Sequence, residues 1–148
     1  MEAHPDFKEL LELFNKHEVE CVIVGGYALA FHGVPRFTGD IDIFINAHPE
    51  NARHVMEALE EFGFGSAGLK KEDFTSSNKG IQLGTPPTRV DIVTSLTGIS
   101  WDEVVKSRVP GSYGGVPVFF ISRSDLIKNK RAIGRKRDLA DIEALGEE

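Results

Sequence analysis

Residues 20 to 46 change their hydrophobic period twice, and that sets the frame for the chain. Glu20-Cys21-Val22-Ile23-Val24 is a short apolar run of the kind that forms a buried strand. Gly25-Gly26 breaks it, and Tyr27 to His32 reads as a short helix. After the loop Val34-Pro35-Arg36-Phe37-Thr38-Gly39, the stretch Asp40 to Asn46 alternates as a second strand. Residues two apart on a strand share a face, so Asp40 and Asp42 point one way and Ile41, Ile43 and Ile45 the other. Two like charges side by side repel unless something positive lies between them. A divalent cation is the natural candidate, and the glycine turn beside it is a candidate cradle for phosphates.

The remaining elements follow from the same patterns. Phe7, Leu10, Leu11 and Phe14 recur at helical spacing over residues 6–17, with Asp6 as the expected N-cap. Pro49 to Phe62 reads as a helix with Val55, Met56, Leu59 and Phe62 on its inner face. Gly63 to Lys79 is rich in Gly, Ser and Lys and is expected to be irregular chain or a mobile flap. Gly80–Leu83 and Arg89–Thr94 read as strands joined through Gly84-Thr85-Pro86-Pro87-Thr88. A short helix over Trp101–Lys106 is capped by Ser100, and Val116–Ile121 is a strand. Ser122-Arg123-Ser124-Asp125 opens a helix that runs to Ile133, where Gly134 interrupts it. Leu139, Ile142 and Leu145 form the apolar stripe of a last helix. Helices and strands are mixed, with at least one hairpin, so the expected class is α+β with a mixed sheet flanked by helices.

A chain of 148 residues suits one domain, 1–148, with a core large enough to need no staples. A single cysteine, Cys21, excludes an intrachain disulfide and a cysteine-based zinc site. It is read as a buried small hydrophobe in a reducing, cytoplasmic setting. No apolar run is long enough to span a bilayer, and Met1 to Asp6 lacks the character of a signal peptide. The net charge of −6 argues against indiscriminate nucleic-acid binding. Residues 128–137 nevertheless hold six basic side chains and no acidic one, which leaves the rest of the chain at −12. By itself such a segment is a solvated face; on an acidic protein it also suggests a local anionic ligand.

Asp91 lies in Arg89-Val90-Asp91-Ile92-Val93, an apolar strand where a lone charge is costly. If that strand lies beside Asp40–Asn46, three carboxylates converge. Hard oxygen donors without a His or Cys cluster favour Mg²⁺ or Mn²⁺ over zinc. Such ions orient an attacking oxygen and neutralise a triphosphate during in-line displacement. Gly25 and Gly26 permit close backbone approach to phosphate, and the basic segment offers counter-charge.

Gly25-Gly26, thirteen residues, Asp40-x-Asp42 and a separate Asp91 together resemble the nucleotidyltransferase domain of the DNA polymerase β superfamily. The wording Gly-Gly-Tyr-Ala-Leu-Ala-Phe-His-Gly, with Arg36-Phe37-Thr38-Gly39-Asp40-Ile41-Asp42, is similar to small prokaryotic AbiEii-type and minimal nucleotidyltransferases. Lys130, Gly134-Arg135, Arg137-Asp138 and Asp141 are similar to that group's closing motif, with Arg137 where lysine is usual. The resemblance spans Val22 to Leu145 except residues 63–80, and it implies a palm-like nucleotidyltransferase fold. It implies that Asp40, Asp42 and Asp91 bind the metals and that Asp91 helps activate an acceptor hydroxyl. Gly25 and Gly26 would hold the triphosphate, and Lys130, with Lys128 or Arg135, would contact phosphate. The reaction implied is transfer of a nucleoside monophosphate from an NTP, with release of pyrophosphate. Relatives of this size also suggest a toxin–antitoxin setting.

Each residue has a plainer alternative. Asp40 and Asp42 could be solvated carboxylates, and Asp91 could simply pair with Arg89. The glycines could be only a tight turn. Arg36 and Thr38 could touch substrate or merely shape their loop. His32 reads as a structural helix-end residue, and Asp138 and Asp141 as partners for Arg135 and Lys130. A non-catalytic nucleotide-binding or protein-interaction module on the same fold is the alternative to an enzyme, and a metal-dependent phosphohydrolase is a third reading. Little chain is left over to grip an acceptor. Either the acceptor is small, or residues 63–80 hold it, or a partner protein or second protomer of a homodimer supplies the grip. An RNA end, a protein side chain and a small hydroxylated molecule all remain open.

Overall fold

A computed structural model describes residues 3–34, 36, 39–65, 67–85 and 88–146. Thr38, the loop residues Pro35 and Phe37, and Pro86-Pro87 lie outside the described residues. Helix α1 covers Pro5–Lys16, strand β1 Cys21–Val24, α2 Gly25–Phe31, β2 Asp40–Ile45 and α3 Pro49–Leu59. The hairpin β3 (Gly80–Thr85) and β4 (Thr88–Val93) follows, then α4 (Trp101–Ser107), a second hairpin β5 (Val109–Tyr113) and β6 (Val116–Phe120), and finally α5 (Arg123–Ile133) and α6 (Lys136–Ala144).

The described residues form a six-stranded sheet in the order β3-β4-β2-β1-β6-β5. β2 runs parallel to β4 and antiparallel to β1, and β1 runs parallel to β6. The sheet is therefore mixed and the class α+β, as the sequence pattern implies. Its central strands carry the core: Val22, Ile23, Ile41, Ile43, Phe44, Ile45 and Ile92 are all buried. Phe7, Leu10, Leu11 and Phe14 of α1 pack into the same cluster, as do Val55 and Leu59 of α3. Asn51, buried in the first turn of α3, ties this layer to the sheet. Its amide accepts from the Glu20 N–H at 2.7 Å and donates to the Glu20 and Asn46 carbonyls at 3.0 and 2.8 Å. Two strand ends and a helix start are thus fixed by one side chain.

Four sequence expectations change. His4, not Asp6, caps α1: its Nδ1 accepts from the Asp6 N–H at 3.1 Å, and Pro5 takes the first helical position. Strand β5 has no counterpart in the sequence reading because Pro110 and Gly111 disfavour strand. At the edge of the sheet a missing N–H costs no ladder bond, and both residues pair with β6. Leu139 stands 52% exposed. The inner stripe of α6 is instead Asp138, Asp141, Ile142 and Leu145, two carboxylates and two hydrocarbons at helical spacing. Cys21 is half-buried at the start of β1 rather than fully enclosed.

The segment 63–79 contains more order than its composition suggests. Helical bonding continues as a π-helical stretch over Glu60–Phe64, kinked within it at Gly63, φ 116°. A 3₁₀ turn follows at Lys71–Phe74, where the Asp73 carboxylate accepts from the Lys70 N–H at 2.9 Å. Phe74 is completely buried in the main core. Phe74→Ala is therefore expected to cost about 3–5 kcal/mol in denaturant unfolding. It should also raise amide exchange across residues 70–79. A loss below about 1 kcal/mol would restore the picture of a loosely attached flap.

Candidate functional site

The parallel pairing of β2 with β4 sets the site. Its register places Asp42 opposite Asp91 and Asp40 opposite Arg89. Side chains two apart share a face, so Asp40, Asp42, Arg89 and Asp91 form one two-by-two array. Ile41 and Ile43 turn to the other face and are buried there. On the far side of β2, Val24 is paired with Asp42, so β1 delivers Gly25 directly against the Asp42 side chain. Gly25 has φ +68°, and a Cβ there would stand 2.8 Å from Asp42 Cγ. Both the backbone and the contact require glycine at this position.

Arg89 sits among the three carboxylates. Its Nη2 donates to Asp40 Oδ2 at 3.0 Å and to Asp91 Oδ2 at 3.2 Å. Its Nε lies 3.2 Å from Asp91 Oδ1, close enough for an ion pair. Those last two atoms are buried, and neither completes a hydrogen bond. The plain alternative for Asp91, pairing with Arg89, is thus realised, and it extends to Asp40. Arg89 is the site residue that the sequence reading left among structural partners. The signal was present, since it lies two residues before Asp91 on the same strand face. Tyr27, at the start of α2, is a second neighbour. Burial raises its hydroxyl pKa, helped by a hydrogen bond with Tyr113 and by the charge of Asp40.

One cation against three carboxylates leaves the array negative. Burial, then the charge of Asp91, a hydrogen bond with Asp91 and the charge of Asp40, against Arg89, push the Asp42 carboxyl up to about 7. The donors are hard oxygens, and Asp91 Oδ1 is a buried acceptor without a donor. This set fits a divalent cation whose other ligands are phosphate oxygens or water. It does not form a closed protein cage: among the described residues, no three His, Cys, Asp or Glu side chains are already disposed around one ion. Arg89 takes part of that space.

The basic residues are placed differently. Lys130 is buried, 2.8 Å from Asp141 and 3.5 Å from Asp138. Arg135 holds Asp138 at 2.6 Å, and Lys128 holds Glu103 at 2.6 Å. Arg36, four residues before Asp40, pairs with Asp141. Burial works to raise the Asp141 carboxyl, but Arg36 and Lys130 keep it below its ordinary value. The Arg135 hydrogen bond does the same for Asp138. Lys128, Lys130 and Arg135 therefore each meet a carboxylate outside the Asp40–Asp42–Asp91 array. His32 ends α2 with its Nε2 2.7 Å from the Ile121 carbonyl, a structural contact.

Two consequences are measurable. The folded state holds the Asp42 proton up to about pH 7, whereas an unperturbed carboxyl loses it near 3.8. The folded state binds more protons across that window, so stability of the metal-free protein falls as pH rises from about 4 to 7. Asp42→Asn should flatten that slope in urea titrations; an unchanged slope would remove Asp42 as its source. Lys130→Met should cost about 3–5 kcal/mol by stranding buried carboxylates. A purely ligand-facing lysine would leave the unfolding midpoint unmoved.

Solved structures share this architecture. A Thermotoga maritima protein assigned as a nucleotidyltransferase superposes with TM-score 0.65 at 17% identity, over 93% of this chain and 88% of that one. The lincosamide antibiotic adenylyltransferase LnuA, in a lincomycin-bound structure, matches with TM-score 0.63 at 15% identity, over 98% of this chain and 97% of that one. An antigenic nucleotidyltransferase-like protein from Paracoccidioides brasiliensis gives TM-score 0.56 at 17% identity, covering 97% of this chain and 75% of that one. At such identities the likeness is one of fold. No curated protein matches the chain in sequence. Residues 6–146 match the family described as "Nucleotidyltransferase of unknown function (DUF6036)", and with nearly its whole length inside that match the chain belongs to this nucleotidyltransferase family.

Proposed function

We propose that the chain is a metal-dependent nucleotidyltransferase that transfers a nucleoside monophosphate from an NTP to a hydroxyl of a small acceptor. The observation that carries this reading is the β2–β4 register, which sets Asp42 beside Asp91 and Asp40 within the same array. Mg²⁺ or Mn²⁺, when bound, would supply positive charge to the triphosphate and to the attacking oxygen. Asp40, Asp42 and Asp91 would hold it through carboxylate oxygens. Asp91 would also draw the proton from the acceptor hydroxyl as that oxygen forms its bond to the α-phosphorus. The bond from the α-phosphorus to the bridging oxygen breaks, and pyrophosphate leaves with that oxygen. Gly25 lacks the side chain that would collide with Asp42, and the backbone at Gly25 and Gly26 would lie against the triphosphate. Lys130, Lys128 and Arg135 then serve first as ion-pair partners, and a phosphate role for any of them requires leaving a carboxylate.

The likeness of fold to LnuA supports the acceptor class. LnuA, an adenylyltransferase solved with lincomycin, is covered over 97% of its length by this chain. A small hydroxylated molecule is therefore the acceptor that a fold of this extent would accommodate. A toxin–antitoxin role belongs with an RNA end or a protein side chain as acceptor. The non-catalytic reading has one observation in its favour, the pairing of Arg89 with Asp40 and Asp91.

The test is transfer from α-³²P-labelled ATP, GTP, CTP and UTP, with Mg²⁺ or Mn²⁺, to panels of hydroxylated small molecules, RNAs and proteins. Labelled product with a small molecule and equimolar pyrophosphate is expected, reduced at least about 100-fold in Asp42→Asn. Label on RNA or protein would overturn the acceptor class. Free nucleotide without acceptor would indicate a phosphohydrolase. Absence of both transfer and NTP binding would leave the non-catalytic module standing.

A further inference from the structure

We propose that Arg89 is a built-in counter-cation: its guanidinium holds Asp40 and Asp91 together while no metal is bound, and leaves them for the triphosphate when a divalent ion arrives. The inference rests on the nucleotidyltransferase reading above and assigns a positioning role that the carboxylate set alone does not contain.

The argument begins with register. Arg89 is opposite Asp40 and two residues before Asp91, so it lies inside the array and not at its rim. Its contacts, at 3.0 and 3.2 Å, reach one oxygen of Asp40 and both oxygens of Asp91. A cation coordinated by these oxygens would compete with the guanidinium for the same carboxylates and repel its charge. The fit is also incomplete. Arg89 Nε and Asp91 Oδ1 face each other while buried, yet neither makes a hydrogen bond. A structural salt bridge of this kind is ordinarily aligned in the paired geometry that arginine offers carboxylates. Leaving two buried polar groups unsatisfied weakens the arrangement. The Arg89 side chain is 29% exposed, so a path to solvent is open on one side.

Displacement has a second half. An arginine released beside three metal-bound carboxylates carries its charge at the edge of the site, where a triphosphate would need it. Of the basic residues expected to contact phosphate, Lys128, Lys130 and Arg135 are each engaged with carboxylates elsewhere. Removing Arg89 should therefore have opposite effects on the two ligands. The metal alone gains, because a competitor is gone; the metal–nucleotide complex loses, because a phosphate contact is gone.

The experiment uses the full chain and reads binding. In the wild type, the Arg89 Nε–H signal is followed by NMR during titration with Mg²⁺, with Arg89→Lys identifying the resonance. Calorimetry then measures Mn²⁺ alone, and a non-hydrolysable NTP analogue in saturating Mg²⁺, for wild type, Arg89→Gln and Arg89→Lys. The expected result is an Nε–H signal that shifts with the same midpoint as Mg²⁺ binding. Mn²⁺ should bind Arg89→Gln about tenfold more tightly and the analogue about tenfold more weakly, with Arg89→Lys recovering part of the analogue's affinity. An Nε–H signal unmoved at saturating Mg²⁺, or an Arg89→Gln variant that binds Mn²⁺ no more tightly, overturns the proposal while leaving the enzyme reading intact. A wild type that binds neither Mg²⁺ nor any nucleotide overturns both. Should Arg89→Gln fail to fold, the wild-type titration decides alone.

Discussion

The lateral pairing of β2 with β4 is the constraint on which the remainder turns. Shifting that pairing by one residue would send Asp91 to the opposite face and put Val90 or Ile92 beside Asp42. What prevents the slip is hydrophobic. Ile41 and Ile43 lie opposite Val90 and Ile92, and all four are buried. The catalytic-type face is thus positioned by the burial of the other face. Charges that repel one another are held together by hydrocarbon that does not. This order of causes explains how three carboxylates can be assembled around a single arginine, and why Asp42 then holds its proton to about pH 7.

Gly25 extends the same logic to the third strand. β1 pairs antiparallel to β2, so its carboxyl end arrives where the amino end of β2 begins. A strand leaving at that point with a side chain would collide with Asp42. The glycine removes the collision and, at φ +68°, turns the chain directly into α2. Glycine turn and carboxylate array are therefore one structural unit, because the first makes room for the second.

Much of this could be read in the sequence, and the exceptions share a cause. The strands bearing Asp40, Asp42 and Asp91 announced themselves by alternation, and the Ser100 and Ser122 caps by their side-chain chemistry. Those are local signals. The adjacency of β2 and β4 is not local, and only the conditional statement that the strands might meet was within reach. Strand β5 was hidden because its proline and glycine are tolerable only at an edge, and edge position is a tertiary property. Leu139 misled because hydrophobicity was counted without asking what else α6 buries. Asp138 and Asp141 occupy its inner face because Lys130, Arg36 and Arg135 meet them there. Phe74 was overlooked in a polar stretch since one aromatic does not make a period, although one aromatic suffices to anchor a loop.

The two charge clusters differ in a way that separates structure from function. Around α5 and α6, Lys130, Arg36 and Arg135 answer two carboxylates, and both of those acids are held below their ordinary pKa. Each of these five charges has a partner of opposite sign. On β2 and β4, Arg89 reaches Asp40 and Asp91, Asp42 is pushed upward instead of down, and two buried atoms that face each other make no hydrogen bond. Folding by itself does not favour that deficit: a chain selected only for stability would remove an aspartate or add a second arginine. Like charges crowded against a glycine that has no room for a side chain cost stability in the free protein. The closing motif, with its lysine and arginines, is then the scaffold of the domain's last two helices, and the carboxylate array belongs to the sheet.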